Sequence, residues 1–343
     1  MCVHRYAATV PAVPLPLTRA QILGHRRRAG LLDARRARGP DSLRRAAWAG
    51  LQDSMPRAAV LSIHARMKDT APDAWADPAL VQLWGPRFSV FAVAAEDRAV
   101  FTLGRLPEDE KGLRRAVDTA DQLEEFLAGR ELPFGQAGHN ALRYGAATGR
   151  LLLRWNGARQ ATIRVVPAPD VDPTAARAEL VRRYLHIYGP STPASFADWA
   201  AVSSRSARAS LESISGELIE VRSPIGGGWI LASDETSFTR DPDPPALARL
   251  LPSGDSYWMY QGADRQLIVP AADRRRQLWT PRVWPGALLV DGEIAGTWRR
   301  TDADIRIEAW RSFSPGEREA IETEATSLPL PVTGDLRVHW DAP

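Results

Sequence analysis

The sequence predicts an α+β chain: tandem helix–turn–helix units, each closed by a β-hairpin, followed by a strand-rich α+β C-terminal domain. Three observations carry that reading. The first is the order of signals between 188 and 231. Tyr188-Gly189-Pro190-Ser191-Thr192-Pro193 is a proline-bearing turn in which Thr192 caps a helix and Pro193 takes its first position. A helix over 193–199, a second over 203–213, a strand over 217–221, a glycine tip at Gly226-Gly227-Gly228 and a return strand over 229–231 follow. This is the order of a winged helix, a module that meets DNA through its second helix and its hairpin. The second observation is that helices followed by hairpins also fill the first 165 or so residues, with no sequence repeat at a fixed period. The third is the run of strand-like segments that begins after Asp241-Pro242-Asp243-Pro244-Pro245.

Taken in order, the prolines of 11–16 mark an extended lead-in, and Thr18 caps a basic helical region running to about Gly39. A second helix covers 43–50. Leu51-Gln52-Asp53-Ser54-Met55-Pro56 is a turn before a helix over 57–66, whose apolar face is Ala58, Leu61, Ile63 and Ala65. Leu83-Trp84-Gly85-Pro86-Arg87 leads into an alternating strand over 88–93. Glu96-Asp97 and Glu108-Asp109-Glu110 cap helical segments, and further helices cover 118–128 and 140–147. Strands over 151–155 and 161–165 pair across Asn156-Gly157. Pro167, Pro169 and Pro173 mark a linker. Beyond the second joint, strands are expected at 257–260, 266–269, 287–290, 297–300 and 305–310, then a helix over 315–327 and a last strand over 336–339. The expected division is 1–166 for the tandem winged-helix-like region, 174–235 for a winged-helix unit and 246–343 for the C-terminal domain.

Composition narrows the function. With 343 residues, 44% of them hydrophobic, the chain can bury more than one core. No apolar run reaches the ~18 residues of a membrane span, and Met1-Cys2-Val3-His4-Arg5-Tyr6 does not open a secretory signal. The single cysteine, Cys2, excludes an internal disulfide and a cysteine-based zinc site. A cytoplasmic, nucleoid-associated protein without a membrane partner is expected. The net charge of +3 does not demand a polyanionic partner. Its distribution is more telling: nine arginines lie between Arg19 and Arg45 against Asp33 and Asp41, a candidate phosphate-tracking surface. Of 44 basic residues only Lys68 and Lys111 are lysine, a bias that suits forked phosphate contacts and that GC-rich coding would equally produce. No spacing of His, Asp and Glu makes a metal site, and no phosphate loop or nucleophile elbow is present.

Four separated stretches, in order, resemble one family: Leu51-Gln52-Asp53-Ser54-Met55-Pro56-Arg57-Ala58-Ala59; Leu83-Trp84-Gly85-Pro86-Arg87; Arg183-Tyr184-Leu185-His186-Ile187-Tyr188-Gly189-Pro190; and Leu289-Val290-Asp291-Gly292-Glu293-Ile294-Ala295-Gly296-Thr297-Trp298-Arg299-Arg300. The chain resembles the AlkZ/YcaQ-type winged-helix DNA glycosylases over about residues 17–325. The resemblance implies hydrolysis of the N-glycosidic bond of bulky N7-alkylated purines, interstrand crosslinks included, with no metal or organic cofactor. Members carry a Gln-x-Gln or Gln-x-Asp pair before the helix that here begins near Pro56. Gln52 matches the first glutamine, Ser54 stands at the second position, and Asp53 sits one residue early. Many relatives also have glycine where Phe88 stands and histidine where Phe91 stands.

The catalytic candidates are therefore Gln52, Asp53 and Ser54. An N7-alkylated guanine leaves with its charge already in place, so the enzyme must position water near C1′ and steady an oxocarbenium-like sugar. A Gln52 carbonyl accepts a hydrogen bond from that water, and an Asp53 carboxylate adds general-base or electrostatic help. The competing reading makes Asp53 or Ser54 a helix cap. Arg26, Arg27, Arg28, Arg57, Arg205 and Arg208 are the DNA-binding candidates, with double-stranded DNA as the partner. His64, His139 and His186 read as packing residues. The alternative function is a non-enzymatic winged-helix DNA-binding protein, favoured by Ser54 in the pair.

Overall fold

The computed structural model describes residues 13–55, 57–155, 161–332 and 334–341. Cys2, Pro56 and the expected turn at Asn156-Gly157 lie outside the described residues. A short strand β1 (Leu15–Pro16) leads to α1 (Arg19–Ala29), where Thr18 and Gln21 form a reciprocal capping box. The helix ends at Ala29, ten residues short of the expected end, because Leu31 turns into the left-handed region (φ 55°). Next come α2 (Pro40–Ala46), β2 (Leu51–Gln52), α3 (Ala58–Arg66), β3 (Leu80–Trp84), β4 (Val90–Ala94) and α4 (Arg98–Thr102). The expected second helix thus begins three residues and ends four residues earlier than read from sequence, and β3 was not foreseen.

The next stretch repeats the pattern. Asp109 caps α5 (Glu110–Leu127) through the Gly112 amide, and Ala116, Ala120, Leu123 and Leu127 form its buried stripe. β5 (Leu132–Pro133), α6 (Phe134–Ala137), α7 (His139–Gly145), β6 (Leu151–Arg154) and β7 (Thr162–Val165) follow. The two stretches share one sheet, ordered β2-β4-β3-β6-β7-β5. In each, the short strand before the helix pairs with the second hairpin strand, and the first hairpin strands meet at Gln82 and Leu153. The order is therefore mirrored about that junction, a repeat of topology without a repeat of sequence.

A third stretch has the same order. Asp172 caps α8 (Pro173–Tyr188), Thr192 caps α9 (Pro193–Ala200) and Ser203 caps α10 (Ser204–Ser213). The hairpin β8 (Leu218–Ser223) and β9 (Gly226–Leu231) turns at Pro224-Ile225, so the three glycines lie in β9 rather than at the tip. Ser191 bridges Trp229 through both backbone groups, at 3.0 and 2.8 Å, and β8 also pairs with β1. Gly228 allows that bridge: a Cβ there would meet the Ser191 backbone at 3.1–3.2 Å. α11 (Glu235–Thr239) ends the stretch.

The C-terminal sheet is ordered β10 (Ala248–Leu251), β11 (Gly286–Val290), β12 (Glu293–Thr301), β13 (Asp304–Ala309), β14 (Arg337–Asp341). It is antiparallel except at β13 and β14, and α14 (Pro315–Thr326), opened by a Ser314–Glu317 capping box, packs on it. Two expected strands are corrected. Residues 257–260 are a buried turn, and 266–269 fall largely in α12 (Arg265–Ile268), ahead of α13 (Ala272–Leu278). A short apolar run reads alike for a strand and a buried helix turn.

Two packing facts position the rest. All nine residues of α3 are buried, with Leu61 in the apolar cluster of the C-terminal sheet. The largest apolar cluster runs from Leu23 through Tyr184 and Trp258 to Ile294, crossing both expected joints. None of the helices among the described residues is long and apolar enough to cross a membrane.

Candidate active site and nucleic-acid surface

Gln52 ends β2 at the edge of the six-stranded sheet, paired with Phe91. Its side chain is half-buried and its Nε2 donates to Ser54 Oγ at 2.5 Å and Ser89 Oγ at 3.3 Å. Its Oε1 is out of solvent contact and has no hydrogen-bond partner. Gly254 covers that oxygen: a Cβ on Gly254 would lie 2.6 Å from it, and the backbone there is left-handed (φ +74°). Only glycine meets both conditions without strain.

What holds Gly254 there is its neighbour. Asp255 takes a two-pronged contact from Arg66, at 2.7 and 2.8 Å, and further bonds from Ser62 Oγ and the Tyr257 amide. Both members of the pair are essentially inaccessible, and the Asp255 carboxyl stays below the usual range because Arg66 and these donors outweigh its burial. A buried pair with this many donors fixes α3 against the loop 252–257. Gln52 is thereby held between the first sheet and the loop 252–257.

Asp53 does not join Gln52 in that enclosure. It is 4% exposed, with Oδ1 accepting from the Ala59 amide at 3.0 Å and Oδ2 from Gln82 Nε2 at 2.6 Å. It caps the start of α3, as the competing reading has it. Burial pushes its carboxyl up to about 7, against the lowering pull of those two donors and Arg57. Gln82 also grips Trp155 through both backbone groups, tying Asp53 to the second hairpin. The expected catalytic help from Asp53 is corrected accordingly: neither carboxylate oxygen faces solvent. Ser54, by contrast, is exposed and takes its orientation from Gln52.

The departures at Phe88 and Phe91 have physical readings. Phe88 is left-handed (φ 52°), the conformation that glycine adopts freely, and its ring is held under Arg143 and Arg105. Phe91 is fully buried in the main apolar cluster.

The arginine-rich segment is mostly interior. Arg26 is 2% exposed, donating to the Tyr188 and Gly189 carbonyls and lying over the Tyr260 ring. Arg27 is buried against Asp33, and both residues are corrected as phosphate contacts because their guanidinium groups face inward. Arg19, Arg35, Arg38 and Arg44 pair with Glu293, Glu324, Asp77 and Asp97. Arg28 is half-buried, and Arg57 is half-buried just before α3. Arg205 and Arg208 stand exposed on α10, where Ala207, Ser210 and Leu211 face inward. α3 has no such outward face.

His64 bonds Ser327 at 3.1 Å, and burial lowers it to about 3. His186 Nδ1 meets both carboxylate oxygens of Asp234 at 3.0 Å, and His25 lies beside them, with ligand-capable atoms of all three within 4.8 Å. Sequence spacing concealed this group, since it comes from three separate elements. Gln82 and Gly254 were also missed. A polar residue inside the apolar run Leu80-Val81-Gln82-Leu83 and the turn signal Pro252-Ser253-Gly254-Asp255 are the signals that mark them.

A protein-family model described as "DNA glycosylase AlkZ-like" matches residues 119–329. Among solved structures, the Streptomyces sahachiroi DNA glycosylase AlkZ superposes with a TM-score of 0.73 at 17% identity, covering 95% of this chain and 100% of that one. Among curated proteins, none matches the chain.

Proposed function

Because the chain belongs to the AlkZ-like DNA glycosylase family, we propose that it hydrolyses the N-glycosidic bond of bulky N7-alkylated purines in double-stranded DNA, crosslinks included. The observation that carries this reading is the unpartnered carbonyl oxygen of Gln52, an acceptor left over after its Nε2 is committed to two serines. An alkylated purine departs without needing a proton, so no strong base is required. The demand on the protein is a water held near C1′. Gln52 Oε1 supplies that hydrogen bond, and the Ser54 hydroxyl, oriented by Gln52, assists from the exposed side. Gly254 lies over that oxygen in the present conformation, so this reading requires the Gly254 turn to shift while the Arg66–Asp255 pair holds the rest of the loop.

The three helix–hairpin stretches act as winged helices in this reading. The third docks on the duplex with α10, through Arg205 and Arg208, and with the β8–β9 hairpin. An open cleft rather than a tight base-flipping pocket suits a crosslinked substrate.

One observation favours a second reading, a damage-binding protein without catalysis. Ser54 replaces the second acceptor of the pair, and the nearby carboxylate of Asp53 is fully engaged inside. Incubating the protein with duplex DNA containing N7-methylguanine separates the two. Free base and abasic sites support the glycosylase, whereas salt-sensitive binding with no base release supports the binder.

A further inference from the structure

Removing from the segment 19–45 the ion-paired arginines, and Arg26 with its interior carbonyls, leaves three: Arg28, Arg36 and Arg45. Arg36 and Arg45 are exposed and form no ion pair among the described residues. Arg28 gives one N–H to the Ser237 carbonyl, while its Nε and Nη1 are buried without a partner. A buried guanidinium N–H without an acceptor is costly. Burial, reinforced by Arg240, holds the Arg28 pKa below its ordinary value against the opposing pull of Asp243 and Asp33.

These three arginines come from the end of α1, the following loop and α2, and they line one cavity of about 190 Å³. Trp48 and His186 form part of its wall. The one carboxylate there, Asp234, faces the His186 imidazole with both oxygens at 3.0 Å. A metal ion fits this place poorly. His25 already uses Nδ1 on Ser237 and Nε2 on the His186 carbonyl, and three guanidinium groups repel a cation.

We propose that the Arg28–Arg36–Arg45 cavity binds a phosphate group, taken from the DNA backbone or from a free phosphate ion. Forked guanidinium donors from Arg36 and Arg45 match the tetrahedral oxygens, and Arg28, whose Nη2 is held by the Ser237 carbonyl, adds its charge to the wall. The backbone source rests on the glycosylase reading above; the free-phosphate source does not.

The test uses the full chain and the Arg36→Ala/Arg45→Ala variant, whose side chains are exposed and form no ion pair among the described residues, with its melting temperature checked against the wild type. Inorganic phosphate is titrated by calorimetry, and undamaged duplex is titrated by fluorescence anisotropy across a range of salt. Arg205→Ala/Arg208→Ala serves as the control for duplex binding through α10. A backbone source predicts that the Arg36/Arg45 variant binds duplex ~10-fold more weakly, with a salt slope smaller by about 1. A free-phosphate source predicts saturable phosphate binding that this variant weakens by ~10-fold or more, with duplex binding unchanged. If the variant matches the wild type in both titrations, the cavity is not a phosphate site. A wild type that binds no duplex overturns the DNA reading alone, and the phosphate titration still decides the cavity.

Discussion

Gly254→Ala adds one methyl group, and its consequences separate catalysis from stability. The new Cβ would lie 2.6 Å from Gln52 Oε1 and 2.9 Å from its Cδ. Those atoms are the far end of a flexible side chain, so the amide swings aside instead of straining the backbone. The remaining stability cost is that of alanine at φ +74°, about 1–2 kcal/mol, partly offset by about 0.4–1 kcal/mol from a stiffer unfolded chain. In a chain of this size the melting temperature falls by only about 2 °C or less. The catalytic cost is larger. Displacing a water-positioning group by about 1 Å costs up to ~10²-fold in rate, so excision of N7-methylguanine under single-turnover conditions is expected to fall 10- to 100-fold, by the same order-of-magnitude reasoning. A double-mutant cycle with Gln52→Ala identifies the route: if Gly254 acts through Gln52, the double variant is no slower than Gln52→Ala alone. Additive losses, or an unchanged rate in Gly254→Ala, would refute the idea that the loop sets the glutamine.

Other consequences concern stability and binding. Asp53 is raised by burial to about 7 from an unfolded 3.8, so the folded state keeps a proton that the unfolded chain releases, and its contribution to stability falls as pH rises from 4 to 7. The full effect is about 4 kcal/mol. His25 and His64, lowered by burial to about 4 and 3, act in the opposite sense and lose stability as pH falls below 6.5. Comparing denaturant midpoints of wild type and Asp53→Asn at pH 5 and 8 isolates the aspartate, and an identical pH dependence would contradict the assignment. Arg66→Ala leaves Asp255 buried and unpaired, and it should cost about 3–5 kcal/mol in urea unfolding, far more than an exposed pair such as Arg114–Glu110. Arg205→Ala and Arg208→Ala should each weaken duplex binding across sequences and reduce the salt slope by about 1, without lowering the melting temperature. Arg26→Ala should do the reverse, because its partners are interior carbonyls.

The third helix–hairpin stretch was legible because its signals are local: Thr192 before Pro193, Ser203 before an amphipathic helix, and a strand on either side of a turn. The mirrored six-stranded sheet was not, since its joining pair, Gln82 with Leu153, links residues 71 positions apart in sequence through backbone register alone. The arginine run misled for a related reason. Charge density in sequence says nothing of direction, and Arg26 and Arg27 point inward to carbonyls and Asp33 contributed by other turns. Gln52 is a candidate through its motif, but the covering of its Oε1 comes from Gly254, about two hundred residues later. Asp53 was read two ways from sequence, and only the Gln82 and Ala59 contacts distinguish a cap from a base.

The rate of N7-methylguanine release by Gln52→Ala, beside its affinity for the same duplex, bears most directly on the whole argument. A water-orienting amide predicts that excision slows by ~10²-fold or more while affinity holds within about twofold. Unchanged excision with Gln52 gone would mean that the chemistry, if any, belongs elsewhere in the molecule.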